Sequence, residues 1–197
     1  FVLISLFTAH SIHAQTNIEI PCGTSPSIDG IFSPAEWDDA NSLDLMIQNG
    51  AQVVDLLFKH DSSHLYIAFV NNLESAVRFP ELQIDVNNDK SSTWMADDWW
   101  FHISATDCES HGQHSNYDSC ELVRHNWTAV RNFDTQQAPV TDTVEISIPF
   151  STINFDINSM DTIGIAFNVT NFFNAWEYWP ATTDRNNPST WANAVFV

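Results

Sequence analysis

The sequence predicts an all-β chain: an antiparallel β-sandwich of the jelly-roll or immunoglobulin-like kind with one short N-terminal helix. Three observations predict it. Short stretches rich in β-branched and aromatic residues recur along the chain, separated by clusters of Asn, Asp, Pro and Ser. Several of these stretches alternate apolar with polar residues, the period of a half-buried strand. Only one helical start is convincing and strands do not alternate with helices, so two packed antiparallel sheets are the layer arrangement that remains.

The elements follow in chain order. FVLISLFTAHSIHAQ is an apolar run of signal-peptide length ending in a small-residue site near Ala14. It predicts a leader over residues 1–14, truncated at its start because it lacks a Met and a basic n-region, with one β-sandwich domain over 15–197. Ser33-Pro34-Ala35-Glu36 has Ser at the N-cap, Pro at the first helical position and Glu three residues on, a capping box opening a helix of one or two turns. VVDLLFKH, HLYIAFV, ELQIDV, DWWFHIS, HNWTAVRNF, DTVEISIPF, TIGIAFNVT and WANAVFV read as strands. In DTVEISIPF, alternation puts Val144, Ile146 and Ile148 on one face and Glu145 and Ser147 on the other. In DWWFHIS it separates Trp99, Phe101 and Ile103 from Trp100 and His102. HLYIAFV and TIGIAFNVT are apolar almost throughout, as expected for central strands.

The chain of 197 residues carries 25 acidic and 6 basic side chains, a net charge of −19. Nucleic acid and anionic lipid would both be repelled, so neither a nucleic-acid nor a membrane partner is expected. A leader without a later apolar span implies export to an extracellular or periplasmic location. Export permits disulfides, and Cys108 and Cys120 enclose the polar loop ESHGQHSNYDS, which has no apolar pattern of its own; they are expected to pair. Cys22 is then odd, either a buried free thiol or a link to something outside the chain.

Residues 84–100, IDVNNDKSSTWMADDWW, concentrate carboxylates and indoles. Asp85, Asn87 and Asp89 place oxygen-bearing side chains at alternate positions of a turn leaving a strand, the spacing with which one loop wraps a hard cation. Calcium is the candidate, with Asp97 or Asp98 and backbone carbonyls completing the shell; the alternative is an Asx-rich turn capping its own backbone. The tryptophans have two readings as well. Trp94 in the turn, and Trp176 and Trp179 in the aromatic stretch NFFNAWEYWPATTD, read as a loop before the last strand, could stack on sugar faces or merely cover the end of the sandwich. Asn171, Glu177 and Arg185 would supply hydrogen bonds to hydroxyls. His111-x-x-His114 and the pair His60 and His64 have spacings seen in metal sites, but no third ligand is identifiable and exposed loop histidines are the simpler reading. No nucleophile elbow, zinc-protease motif or P-loop is present, and the chain reads as non-catalytic.

Several segments, taken in order, resemble the family 9 carbohydrate-binding modules and the wider DOMON-like β-sandwiches. SIDGIFSPAEWDDA is similar to that family's opening signature of I-D-G, acidic turn, Trp and Ala. VVDLLFKHDSSHLYIAFV resembles its paired strands, and ELQIDVNNDK its central strand ending in an acidic turn. VEISIPFSTI resembles its E-x-x-I-P strand and corner, and NPSTWANAVF its closing strand. Together they cover nearly all of residues 20–197. The resemblance implies a poly- or oligosaccharide ligand, structural calcium, and accompanying domains of a polysaccharide-degrading or surface protein that this chain has lost. It departs at the pair of tryptophans that sandwich a terminal sugar: NNLESAVRFP offers only Phe79 before ELQID, and Asp184 and Arg185 stand where the other would lie. His102 corresponds to a basic residue of the family. DOMON-like relatives include haem binders, for which Met46, Met95, Met160 and His102 are the available ligands, giving an electron-transfer domain as the alternative function. A structural module of a surface assembly is a further one.

Overall fold

A computed structural model describes residues 17–47, 52–71, 78–103, 107–112, 125–134, 141–170 and 176–197. The strands are β1 (Asn17–Ile20), β2 (Asn41–Ile47), β3 (Gln52–His60), β4 (His64–Asn71), β5 (Arg78–Asp85) and β6 (Asp98–His102). They continue with β7 (Cys108–His111), β8 (Thr128–Asp134), β9 (Thr141–Pro149), β10 (Thr162–Thr170), β11 (Trp176–Trp179) and β12 (Ala192–Phe196). Among the described residues they form two sheets. The seven-stranded sheet runs β1-β12-β10-β5-β6-β7, with β11 paired to the second half of β10 as β12 is to the first. The five-stranded sheet runs β2-β3-β4-β9-β8. Neighbouring strands are antiparallel except β1 and β12.

The core lies between the sheets and is built by the period-2 alternation. Leu65, Ile67 and Phe69 of β4 and Val144, Ile146 and Ile148 of β9 meet Leu82 and Ile84 of β5, Trp99 and Phe101 of β6, and Ile163, Ile165 and Phe167 of β10. β4 is the middle strand of its sheet, and its outward residues Tyr66, Ala68 and Val70 are buried too, beneath Trp37 and its flanks Ile28, Phe32 and Ala40. Covering both faces is why HLYIAFV has no polar alternation.

Glu145, on the outward face of β9, is fully buried and explains the opening signature. Its Oε2 accepts the Gly30 and Asp29 N–H groups at 2.9 and 3.1 Å, and its Oε1 accepts the Trp37 indole N–H at 3.1 Å. Gly30 has φ 77°, and a Cβ there would meet the Asn132 backbone nitrogen at 3.0 Å, so the turn requires glycine. Buried Lys59 donates to Asp39 at 2.7 Å and to the Glu36 carbonyl, with its ammonium 5.3 Å from the Trp37 ring centroid.

Those contacts replace the expected capping box. Pro34–Glu36 is a single 3₁₀ turn, the Ser33 side chain makes no capping bond, and Trp37 leaves helical geometry at φ −119°. The segment is held from below by Glu145 and Lys59, so it lies on the sheet rather than propagating a helix. One α-helical turn, α1 (Phe150–Ile153), follows β9 and ends at left-handed Asn154, placing Phe150 and Ile153 in the core.

The stretch WEYW, read from sequence as loop, is β11, paired with β10 from Phe167↔Trp179 to Thr170↔Trp176. Cys22 is exposed and free, which removes its buried alternative. Cys108 is buried at the start of β7, and its expected partner Cys120 lies outside the described residues, as does the leader.

Candidate functional site

The outward face of the seven-stranded sheet carries a transverse row set by register. Tyr178 of β11 is opposite Asn168 of β10, Asn168 opposite Glu81 of β5, and Glu81 opposite His102 of β6. Alternation predicts such residues in water, yet Glu81, Gln83 and Asn168 are buried. They satisfy one another: Asn168 Nδ2 donates to Glu81 Oε2 at 2.7 Å, Gln83 Nε2 donates to Asn168 Oδ1 at 2.6 Å, and His102 Nδ1 lies 2.6 Å from Glu81 Oε1. Gln83 Oε1 is buried with no hydrogen-bond partner among the described residues.

Beside the Tyr178 end of this row is a cleft of about 360 Å³, lined by Trp176, Tyr178, Thr183, Asp184, Arg185 and Asn186. β11 supplies its aromatic side, because Trp176 and Tyr178 alternate to the outward face. The facing loop is pinned by two indoles from elsewhere in the chain. Trp94 Nε1 donates to the Arg185 carbonyl at 3.1 Å and Trp191 Nε1 to the Asp184 carbonyl at 3.2 Å, with the two rings edge to face at 5.3 Å. The Arg185 guanidinium lies over the Trp176 ring, 5.6 Å from its centroid. Burial raises the Tyr178 phenol above its ordinary pKa, against the opposing pull of Arg185. Thr183 Oγ1 is buried with no hydrogen-bond partner among the described residues.

The residues expected to bind sugar therefore divide. Trp176 and Arg185 meet in the cleft. Trp94 positions the loop by its N–H rather than offering a free platform. Glu177 and Trp179 share the opposite face, register-paired with Val169 and Phe167, and Trp179 packs against Phe167 in the core with ring centroids 5.9 Å apart. Asn171 lies outside the described residues. Thr183, Glu81 and Asn168 were missed, and the register of β11 on β10, which brings them beside Tyr178, has no local sequence signal.

The acidic turn sits at the other end of β5. Asp85, Asp97 and Asp98 each place a carboxylate oxygen within 4.8 Å of the others. Asp98 has one oxygen accepting the Met95 N–H at 2.5 Å, while Oδ1 is buried with no partner among the described residues. Burial pushes the Asp98 carboxyl up to about 7, helped by Asp85, Asp97 and Asp89 nearby, and burial likewise raises Asp85. Lys90 donates to the Trp191 and Ala192 carbonyls at 3.0 and 3.1 Å and attracts Asp85, offsetting part of this charge. Gly164, opposite Asp85, leaves the room: a Cβ there would lie 2.9 Å from the Asp85 Cβ. Three clustered carboxylates with a spare buried oxygen fit a hard divalent cation. Asn87 and Asp89 instead turn on their own backbone, Asn87 Oδ1 accepting the Asp89 N–H and Asp89 Oδ1 the Ser91 N–H, each at 2.8 Å. Asp97 and Asp98, expected as alternatives to complete the shell, both join Asp85 in the cluster.

The remaining candidates are not assembled. His60 is spent on the Asp61 and Val197 carbonyls, and His64 packs on Tyr66 and Ser63. His111 stacks on Trp99 at 4.6 Å in the wall of a cavity of about 680 Å³ that also holds His125 and Met160; His114 lies outside the described residues. That cavity does not include His102, which is bound to Glu81 on the outward face, and Met95 is exposed, so the described haem-ligand candidates do not converge. For Met46 only its place in β2 is described. No helix among the described residues is long and apolar enough to cross a membrane.

The described residues form a two-sheet sandwich with polar groups and aromatic rings gathered on the outward face of one sheet. The comparisons give this fold its neighbours. Structures of a family 9 carbohydrate-binding module from Caldicellulosiruptor kristjanssonii, in complex with cellotriose and with glucose, superpose with a TM-score of 0.65 at 16% and 15% identity. They cover 92% of this chain and 93% and 96% of theirs. A candidate carbohydrate-binding protein from Bacteroides uniformis superposes with a TM-score of 0.64 at 11% identity, over 93% of this chain and all of its own. The chain thus has a family 9-like module fold. No family model and no curated protein matches its sequence.

Proposed function

We propose that the chain is an exported, non-catalytic carbohydrate-binding module that takes a poly- or oligosaccharide in the Trp176–Tyr178 cleft and is stabilised by calcium at Asp85, Asp97 and Asp98. The observation that carries it is the cleft itself: two aromatic side chains turned outward from β11, facing Arg185 and Asn186 of a loop pinned by Trp94 and Trp191. An aromatic face offers stacking to sugar C–H groups, and the surrounding donors and acceptors fix hydroxyl positions. The neighbours' fold and their cellotriose and glucose complexes support the ligand class.

The calcium would neutralise a carboxylate cluster that Lys90 balances only in part and would supply the partner Asp98 Oδ1 lacks. Export through a cleaved leader and a Cys108–Cys120 bridge belong to the same reading. Titration with soluble cello-, xylo- and manno-oligosaccharides tests the binding. Tryptophan fluorescence should change with an affinity between roughly micromolar and millimolar. Trp176→Ala should abolish the response while the protein still melts cooperatively. A full response in that variant would place the sugar elsewhere.

A further inference from the structure

We propose that sugar binding in the Trp176–Tyr178 cleft depends on calcium through the turn of residues 86–97, which carries the carboxylate cluster at its ends and the anchors of the cleft loop in its middle; the inference rests on the carbohydrate and calcium readings of the two sites. The turn joins β5 to β6, and the clustered side chains tie its ends to each other. Asp85 accepts the Asp89 and Lys90 N–H groups at 3.2 and 3.1 Å. Asp97 accepts the Asn87 N–H at 3.2 Å from across the turn, and Asp98 accepts the Met95 N–H at 2.5 Å. The positions of these three carboxylates therefore decide the path of the backbone on both sides of Trp94. Asp98 is 1% exposed, and its Oδ1, in a carboxylate grouped with those of Asp85 and Asp97, has no hydrogen-bond partner among the described residues. Like charges this close repel, and more strongly where burial lowers the local dielectric. Sharing one hard cation holds all three together and keeps them in place as acceptors for the turn.

The middle of the turn is the seat of the cleft loop. Lys90 Nζ donates to the Trp191 and Ala192 carbonyls at 3.0 and 3.1 Å, the Ser91 carbonyl accepts the Ser189 N–H at 3.0 Å, and Trp94 Nε1 donates to the Arg185 carbonyl at 3.1 Å. Behind these contacts the loop is closed on itself. The Asp184 N–H is bound to Thr190 Oγ1 at 2.9 Å, and Trp191 Nε1 donates to the Asp184 carbonyl at 3.2 Å. A shift of the turn thus carries residues 183–186 with it, whereas Trp176 and Tyr178 stay with β11 on the β10 ladder. The width of the cleft is set from the carboxylate end of the turn. None of the residues lining the cleft belongs to the cluster, so sugar and cation act on each other through the protein. Such coupling is reciprocal: each ligand tightens the other by the same factor.

The probe is whichever oligosaccharide of the cello-, xylo- and manno- series the parent binds in millimolar calcium, titrated there and in chelator at a temperature below both melting transitions. Chelation should weaken its affinity about tenfold, and saturating oligosaccharide should tighten calcium by the same factor. Asp98→Asn should show the weak affinity in both conditions. Trp94→Phe should still gain Tm from calcium while its sugar affinity responds several-fold less than the parent's. A sugar affinity indifferent to calcium in a parent whose Tm calcium raises overturns the inference and leaves both readings standing. An undiminished calcium response in Trp94→Phe overturns the turn as the route. If calcium neither binds nor raises the Tm, the calcium reading and the inference fall while the sugar reading stands; if no oligosaccharide binds in either condition, the carbohydrate reading and the inference fall.

Discussion

Glu145 shows how a single side chain can organise a segment far from it in sequence. Its carboxylate faces away from the core, on the side of β9 that alternation assigns to solvent, yet it is buried under residues 28–40 and receives three N–H groups. Burial raises its pKa, and those three donors act against the rise. Glu145→Leu keeps the volume and strands the Gly30, Asp29 and Trp37 donors, so it should cost on the order of 3 kcal/mol or more, read as a lower urea midpoint with an unchanged m-value. A change under about 0.5 kcal/mol would mean that the segment is held by Trp37 packing alone. The same residue marks what was legible at this scale. Alternation assigns the inward residues of β6 and β9 correctly because only burial between the sheets is needed to explain them. It cannot foresee that Glu81, Gln83, Asn168 and Glu145 are buried on the outward faces, since what covers or pairs with them comes from distant parts of the chain.

Among elements, the long central strands were legible, whereas the seven-residue edge strand β2 and the four-residue β1, β7 and β11 were not. β3, β4, β5, β9 and β10 each run eight or nine residues, enough for a period to show. β1, β7 and β11 have four residues each, and only their partners define them. β11 matters most, because its register on β10 decides that Trp176 and Tyr178 face the cleft while Trp179 enters the core. The loop that follows depends on Trp94, which lies about 90 residues earlier. Trp94→Phe keeps the ring contact with Trp191 and removes the bond to the Arg185 carbonyl. It should cost about 1 kcal/mol of stability and weaken sugar binding several-fold by letting the loop wander. An oligosaccharide titration and a urea melt on the same variant separate the two effects; unchanged affinity would show that the loop needs no anchor from the 91–97 turn.

At the scale of the whole molecule, an excess of 19 negative charges makes the acidic turn a question of stability as well as of binding. Asp98 is pushed up to about 7 and Asp85 is raised, so in the absence of a cation the folded protein holds protons that the unfolded chain, with carboxyls near 3.8, has released. Stability then falls as pH rises from about 4 to about 7, because the native state binds more protons than the unfolded one across that window. Asp39, lowered to about 2 by its hydrogen bonds to Lys59 and Thr24 against the opposing effect of burial, works in the opposite sense. Its stabilisation is present above about 4 and is lost only as pH falls towards 2, outside the window. Calcium competes with the protons for the same oxygens, so its increment should be small near pH 5 and grow towards pH 8. Melting curves with chelator and with millimolar calcium at pH 5, 6, 7 and 8 would show the chelated Tm declining and the calcium curve diverging above it, by roughly 2–4 °C per kcal/mol for a domain of this size. Asp98→Asn should flatten the chelated profile and shrink the calcium increment together, since one oxygen serves both. A parent Tm indifferent to calcium at every pH would remove the cation from this turn and leave Lys90 as its counter-charge.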